Sequence, residues 1–148
     1  MKFSARFEYA LQALLYLKCE PDEAPVSGRE MSEKLNLPYR FLEQILSDLK
    51  KRGVVRSIRG QHGGYRLNLE PEEISIFDIY EVTDGKFEPW DCSTAESGDR
   101  CGQNHNMCVV NIFYSDFKST FKSLMKSYTL DKLCSAAMKL KTEAITAK

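Results

Sequence analysis

Around Gly53 the chain switches from a helical rhythm to an alternating one, and that switch narrows the available folds more than anything else in the sequence. Upstream, residues 39–52 place Phe41, Leu42, Ile45, Leu46 and Leu49 on one face of a helix. Lys50, Lys51 and Arg52 suit the negative end of its dipole, and Gly53 ends it. Downstream, residues 54–58 and 65–69 read as short strands. Between them lies Arg59-Gly60-Gln61-His62-Gly63-Gly64, the tip of a hairpin.

The flanking segments are helical. Residues 3–17 carry Phe7, Ala10, Leu11, Leu14, Leu15 and Leu17 at helical spacing, and Pro21 and Pro25 mark a loop after them. Ser27 and Glu30 have capping-box spacing at the head of a helix over 27–35. Asn36-Leu37-Pro38 turns the chain into the 39–52 helix, with Pro38 suited to its first turn. A further helix is expected over 75–83. Residues 84–107 are rich in turn formers and hold cysteines. A long helix follows from about 108 to 127, its apolar stripe made by Val109, Val110, Phe113, Phe117, Phe121 and Leu124. A last helix covers 130–141. The sequence thus predicts a mostly α fold with a small β-hairpin wing: a winged helix-turn-helix plus a long C-terminal dimerisation helix. The expected division is a reader at 1–83, a cysteine-bearing loop at 84–107, and pairing helices at 108–148.

Net charge over the 148 residues is zero, but it is unevenly spread. Residues 40–66 hold seven Lys/Arg against two acidic residues, and residues 71–101 hold nine acidic residues against two Lys/Arg. A basic block coinciding with the helix and hairpin suits phosphate contact. No apolar run approaches the roughly 18 residues that would span a bilayer, and the N-terminus lacks a signal-peptide pattern. A cytoplasmic location without membrane attachment is the expectation. In that setting five cysteines point to metal or redox chemistry before disulfides.

An α-helix fits the major groove of B-DNA, and a thin hairpin can reach the neighbouring backbone or minor groove. On the 39–52 helix the candidate DNA contacts are Tyr39, Arg40, Glu43, Gln44 and Ser47, with Lys50 for phosphate; on the wing they are Arg59 and His62. Gln44 can pair with adenine, and Glu43 can accept from the cytosine amino group. The same residues would also serve as the solvated face of a helix, and the glycines as turn residues.

Met1-Lys2-Phe3-Ser4 with Tyr9-Ala10, Leu42-Glu43-Gln44-Ile45-Leu46, and Arg59-Gly60-Gln61-His62-Gly63-Gly64-Tyr65 resemble the signatures of IscR/NsrR/RirA-type repressors, in the same order and spacing. The likeness runs through essentially the whole chain up to the last helix. It implies a homodimer paired through the long C-terminal helix, a palindromic double-stranded operator, and an iron–sulfur cluster. It also implies a part for Glu43 in sequence preference.

Cys92, Cys101 and Cys108 are spaced C-x8-C-x6-C. Thiolates select zinc, copper(I) or iron–sulfur clusters. The family's cysteine spacing is usually shorter, so both [2Fe–2S] and [4Fe–4S] stay open. Asn111 stands where some members have a histidine ligand. By resemblance, Glu8 of the opposite subunit is the candidate fourth ligand; His105, in Cys101-x3-His105-x2-Cys108, is its rival. Cys19 and Cys134 have no cysteine near them in sequence and read as small buried hydrophobes. Trp90 is placed to shield the loop or to pack on a neighbouring helix.

The aromatic run Phe113, Phe117, Phe121 is too large an exposed patch for a monomer, unless it packs on the final helix. No P-loop, nucleotide fingerprint, zinc-protease motif or nucleophile elbow is present, and an enzyme is not expected. The reading is a homodimeric transcriptional regulator, a repressor sensing redox, nitric oxide or iron–sulfur status through a cluster. The alternatives are a winged-helix regulator with a zinc or thiol switch, and a protein-interaction module. The signal, the operator, the regulated genes and the tighter-binding form stay open.

Overall fold

Ser4 caps the first helix. Its hydroxyl accepts from the Phe7 amide at 3.1 Å, and its carbonyl accepts from Glu8 at 3.2 Å. The computed structural model describes residues 2–19, 24–88 and 108–146. In chain order it has α1 (Ala5–Cys19), α2 (Gly28–Leu35), α3 (Tyr39–Lys51), β1 (Val55–Ile58), β2 (Gly64–Leu67), α4 (Ile76–Thr83), α5 (Val109–Ser127) and α6 (Leu130–Thr146).

Helix α1 is the hub, touching α2, α3, β2, α4 and α6. Ala10, Ala13 and Leu14 are wholly buried on it, and Phe7 nearly so. Two cores meet there. The smaller joins Ala13 to Val26, Met31, Leu37, Leu42 and Leu46, fastening α2 and α3 into a helix-turn-helix. The larger runs from Phe7 and Leu14 through Ile45, Leu49, Val55, Ile74 and Ile79 to Phe87, Met125 and Leu130. Each fully buried aliphatic side chain contributes about 1.5–3 kcal/mol of hydrophobic stabilisation.

The turn between α2 and α3 is built locally. Ser27 caps α2 by accepting from Glu30 N–H at 3.1 Å. Asn36 ends it in the left-handed region at φ 53°. The Ser32 hydroxyl donates to the Leu37 carbonyl at 2.6 Å, and the Leu37 amide donates back to Ser32 at 2.9 Å. Gly53, at φ 75°, closes α3 where a side chain would strain the backbone.

Several expected boundaries move. Strand β1 starts at Val55, because the Val54 amide is spent on Leu49, and β2 runs from Gly64 to Leu67, one residue earlier at its start and two at its end than expected. Pro38 precedes the first turn of α3 with extended ψ 118°. The last helix runs beyond residue 141 to Thr146. The aromatic run on α5 is only partly exposed. Phe121 stacks on buried Phe87 at 4.6 Å and Phe117 lies against the same core, whereas Phe113 is 60% exposed. The partner of Phe121 is therefore the segment after α4.

The expectation for Cys19 and Cys134 is corrected. They are 115 residues apart in sequence, yet α6 packs back on α1 and brings their Cα atoms to 6.2 Å, where they form a disulfide. No helix among the described residues is long and apolar enough to cross a membrane.

Candidate nucleic-acid interface and cysteine loop

Helix α3 turns Leu42, Ile45, Leu46 and Leu49 into the protein and leaves its other face outside. Tyr39, Arg40, Glu43, Gln44 and Lys50 are all exposed there, and Ser47 is half-buried. Tyr39 and Glu43, one turn apart, are linked: the phenol donates to Glu43 Oε1 at 2.9 Å. That bond holds the phenol proton and raises the Tyr39 pKa, with burial a lesser cause. The Arg29 guanidinium lies 5.6 Å from the centre of the Tyr39 ring. A cation on α2 and a phenol on α3 thus restrain the carboxylate at the centre of the exposed face.

The wing stands beside this face and is fixed to it at three points. Val26, just before α2, makes an isolated antiparallel bridge with Tyr65: Val26 N–H donates to the Tyr65 carbonyl at 3.0 Å, and Tyr65 N–H to Val26 at 2.8 Å. The Tyr65 side chain packs against both cores. Burial raises its pKa first, and the nearby Glu43 charge adds to the rise. At the other end, Lys50 Nζ donates to Ser57 Oγ at 2.6 Å, tying the last turn of α3 to β1. Lys50 is thus a wing tether as well as a candidate phosphate contact.

Arg59 and His62 are exposed at the wing tip. There Gly60 takes φ 125°, and Gly63 N–H donates to the Gly60 carbonyl at 3.0 Å. The register sets Arg56 directly opposite Arg66. The sequence reading missed Val26, Tyr65 and the Arg56–Arg66 pair; a one-residue bridge leaves no periodic pattern, and the arginine pairing depends on register.

A second charged group braces α3 against α1. Asp48 pairs with Arg6 and accepts from Lys51 Nζ at 2.9 Å. The Lys51 hydrogen bond is the main cause holding the Asp48 carboxyl below the usual carboxylate range, against an opposing effect of burial.

Of the metal-ligand candidates, Cys92, Cys101 and His105 lie outside the described residues, as does Trp90. Cys108 is a free, half-exposed thiol at the N-cap of α5. Glu8 is exposed in the first turn of α1. Among the described residues no group of three or more His, Cys, Asp or Glu is placed to hold a metal ion.

A sequence profile of the Rrf2 family, described as iron-dependent transcriptional regulator, matches residues 3–136. The chain belongs to the Rrf2 family of transcriptional regulators. It is 32% identical over 133 residues to the HTH-type transcriptional regulator IscR of Aliivibrio salmonicida, covering 90% of this chain and 77% of that one. Among solved structures it is similar to CymR (YrzC), the global cysteine regulator of B. subtilis, with a TM-score of 0.72 and 30% identity. That match covers 92% of this chain and 98% of CymR. It is similar also to T. potens IscR, at TM-score 0.72 and 28% identity, covering 93% of this chain and 88% of that one. The winged-helix architecture expected from the sequence is that of these regulators.

Proposed function

We propose that this Rrf2-family regulator binds a palindromic operator as a homodimer and represses transcription, its DNA affinity set by an iron–sulfur cluster on the 84–107 loop and Cys108. The observation that carries the DNA reading is the fixed pairing of the exposed α3 face with the wing. Arg40, Glu43 and Gln44 stand where a helix presents side chains to base edges. Arg59 and His62 at the exposed wing tip, with Arg56 and Arg66 paired in register on the strands, supply donors that suit phosphates. Residues 1–83 act as the reader in this scheme, and residues 108–148 as the pairing region.

Pairing is supported by α5, whose Val109, Val110, Ile112, Phe113 and Leu124 are all more than half exposed. A second copy of the same face would cover them. Two α3 helices held about one DNA turn apart then meet both half-sites.

For the cofactor, the donor set is three thiolates, Cys92, Cys101 and Cys108, with Glu8 of the opposite subunit proposed as the fourth ligand and His105 as the alternative. The observed part of that set fits: Cys108 is unbonded and reachable, and Glu8 is open to solvent. A bound cluster would supply a linkage labile to oxidation or nitric oxide. The protein's own contribution is to join that linkage to the first turn of α5, so that a change in the loop alters the separation of the two readers.

Oxygen-free purification with visible spectroscopy and iron and sulfide analysis tests the cofactor. Brown protein whose colour is lost in Cys108→Ser supports it; colourless, iron-free protein that takes up nothing on reconstitution overturns it and leaves the zinc or thiol reading. Retention of a full, equally stable cluster in Glu8→Ala removes Glu8. At matched salt, Glu43→Ala should weaken discrimination among operator variants by about 1–3 kcal/mol. Equal affinity of cluster-loaded and cluster-free protein for every operator would end the switch proposal.

A further inference from the structure

We infer that Cys19 and Cys134 are a reversible dithiol–disulfide pair, a redox-modified site separate from the 84–107 loop, which locks the C-terminal helix to the hub of the reader. The two cysteines come from opposite ends of the chain, yet both lie in one contact between α1 and α6. Their accessibilities differ. Cys134 is 4% exposed, whereas Cys19, in the last turn of α1, is only half-buried. That asymmetry suits thiol–disulfide exchange: one sulfur meets the external reagent, and the sheltered one resolves the intermediate.

The contact does not depend on the bond alone. Lys18 and Asp131, adjacent to Cys19 and close to Cys134, approach within 3.8 Å across the same two helices. Leu130, at the head of α6, is wholly buried in the main core. Reduction therefore leaves α6 seated and the two thiols near each other. The pair can close again without a search through the unfolded chain. Closure acts on α1, which touches α2, α3 and β2, so the state of this bond bears directly on the reader.

The oxidation balances with a low-molecular-weight disulfide, R–S–S–R, as oxidant. The Cys19 thiol gives its proton to water, and its thiolate attacks one sulfur of R–S–S–R. The R–S–S–R bond breaks, one RS⁻ leaves, and Cys19–S–S–R remains. The first RS⁻ takes the proton of the Cys134 thiol, and the Cys134 sulfur attacks Cys19 Sγ, forming the Cys19–Cys134 bond and releasing the second RS⁻, which takes up the proton that Cys19 gave to water. Two protein thiols are oxidised and one small disulfide is reduced to two thiols. An excess of dithiol reductant drives the reverse.

The test uses the full chain carrying Cys92→Ser, Cys101→Ser and Cys108→Ser, so that the outcome is independent of any cluster. The protein is equilibrated with reduced and oxidised glutathione in graded ratios, then alkylated and analysed by intact mass and non-reducing peptide mapping. The expected result is loss of both remaining thiols together, a mass lower by two hydrogens, and a peptide joining α1 to α6. A dithiol should restore full alkylation. Adding Cys134→Ala should halt the reaction at a glutathione adduct on Cys19, while adding Cys19→Ser should leave Cys134 largely unmodified in the folded protein. Full alkylation of both cysteines at every ratio overturns the inference. So does a lasting glutathione adduct on Cys19 with Cys134 free, or a bond that excess dithiol cannot open in the folded protein.

Discussion

A β-carbon on Gly64 would lie 2.4 Å from both the carbonyl carbon and the oxygen of Val26, and 2.8 Å from the Ser27 nitrogen. No rotamer relieves a clash with backbone, so Gly64→Ala must push the wing away from the Val26–Tyr65 bridge. A cost of about 1–3 kcal/mol is expected, the range for a forced overpacking, together with weaker DNA binding at temperatures where the variant is fully folded. Urea titration checks the first part, and an unchanged midpoint would show that the bridge is not under this steric control. Asp48 gives a pH-dependent counterpart. Its folded pKa is depressed, first by the Lys51 hydrogen bond, with the Arg6 charge contributing. The unfolded chain therefore binds the proton more readily. The stabilisation is present above the unfolded value of about 3.9 and is lost as pH falls through the lower folded value. Wild type should exceed Asp48→Asn in urea midpoint at neutral pH, and the gap should close on acidification. A gap of constant size from about pH 6 to pH 3 would dissociate the Asp48 charge from folding.

Helix α4 is held at its start by a reciprocal pair: Ser75 Oγ accepts from Asp78 N–H at 3.2 Å, and Asp78 Oδ2 accepts from Ser75 N–H at 3.1 Å. Ser75→Ala should cost about 1 kcal/mol. Asp78→Ala should cost a similar amount, and the double variant little more than either, since each side chain supports the other. Additive losses in urea unfolding would show two independent caps. The sequence reading gave the helix over 75–83 without this motif, and every helix with a clear apolar face was legible. Legibility fell where a contact has no local signature. Phe87 is one aromatic among turn formers, yet it is buried under Phe121. Helix α6 outruns its apolar rhythm because residues 141–146 contain no proline or glycine to stop it. Val26 pairs with the wing through a single residue, and Cys19 meets Cys134 only because α6 returns to α1. At the site, the outward residues of α3 could be listed from helical period alone, but the Arg29–Tyr39–Glu43 restraint needed α2 and α3 in place.

On the scale of the whole molecule, α5 carries a run of rings from the core to solvent. Phe87 is buried, Phe121 stacks on it, Phe117 lies 5.9 Å from Phe121, and Phe113 follows at 6.3 Å, 60% exposed. The inner half of this run belongs to the protomer, and the outer half is the surface that a second copy buries in the proposed dimer. The two halves should therefore respond differently to substitution. Phe113→Glu places a charge on the proposed pairing face but removes little from the monomer's core. It should leave the unfolding midpoint of the monomeric protein nearly unchanged while shifting sedimentation at micromolar concentration from dimer toward monomer. Affinity for a palindromic operator should fall by about 10²–10⁴, because the second half-site is no longer reached by a linked reader; affinity for an isolated half-site should change far less. Phe121→Ala should instead destabilise the protomer itself, by about 3–5 kcal/mol if its contacts with Phe87 are fully lost. If Phe113→Glu sediments as the wild type does and keeps full palindrome affinity, the exposed face of α5 is not the pairing surface, and the two readers must be spaced by another part of the chain.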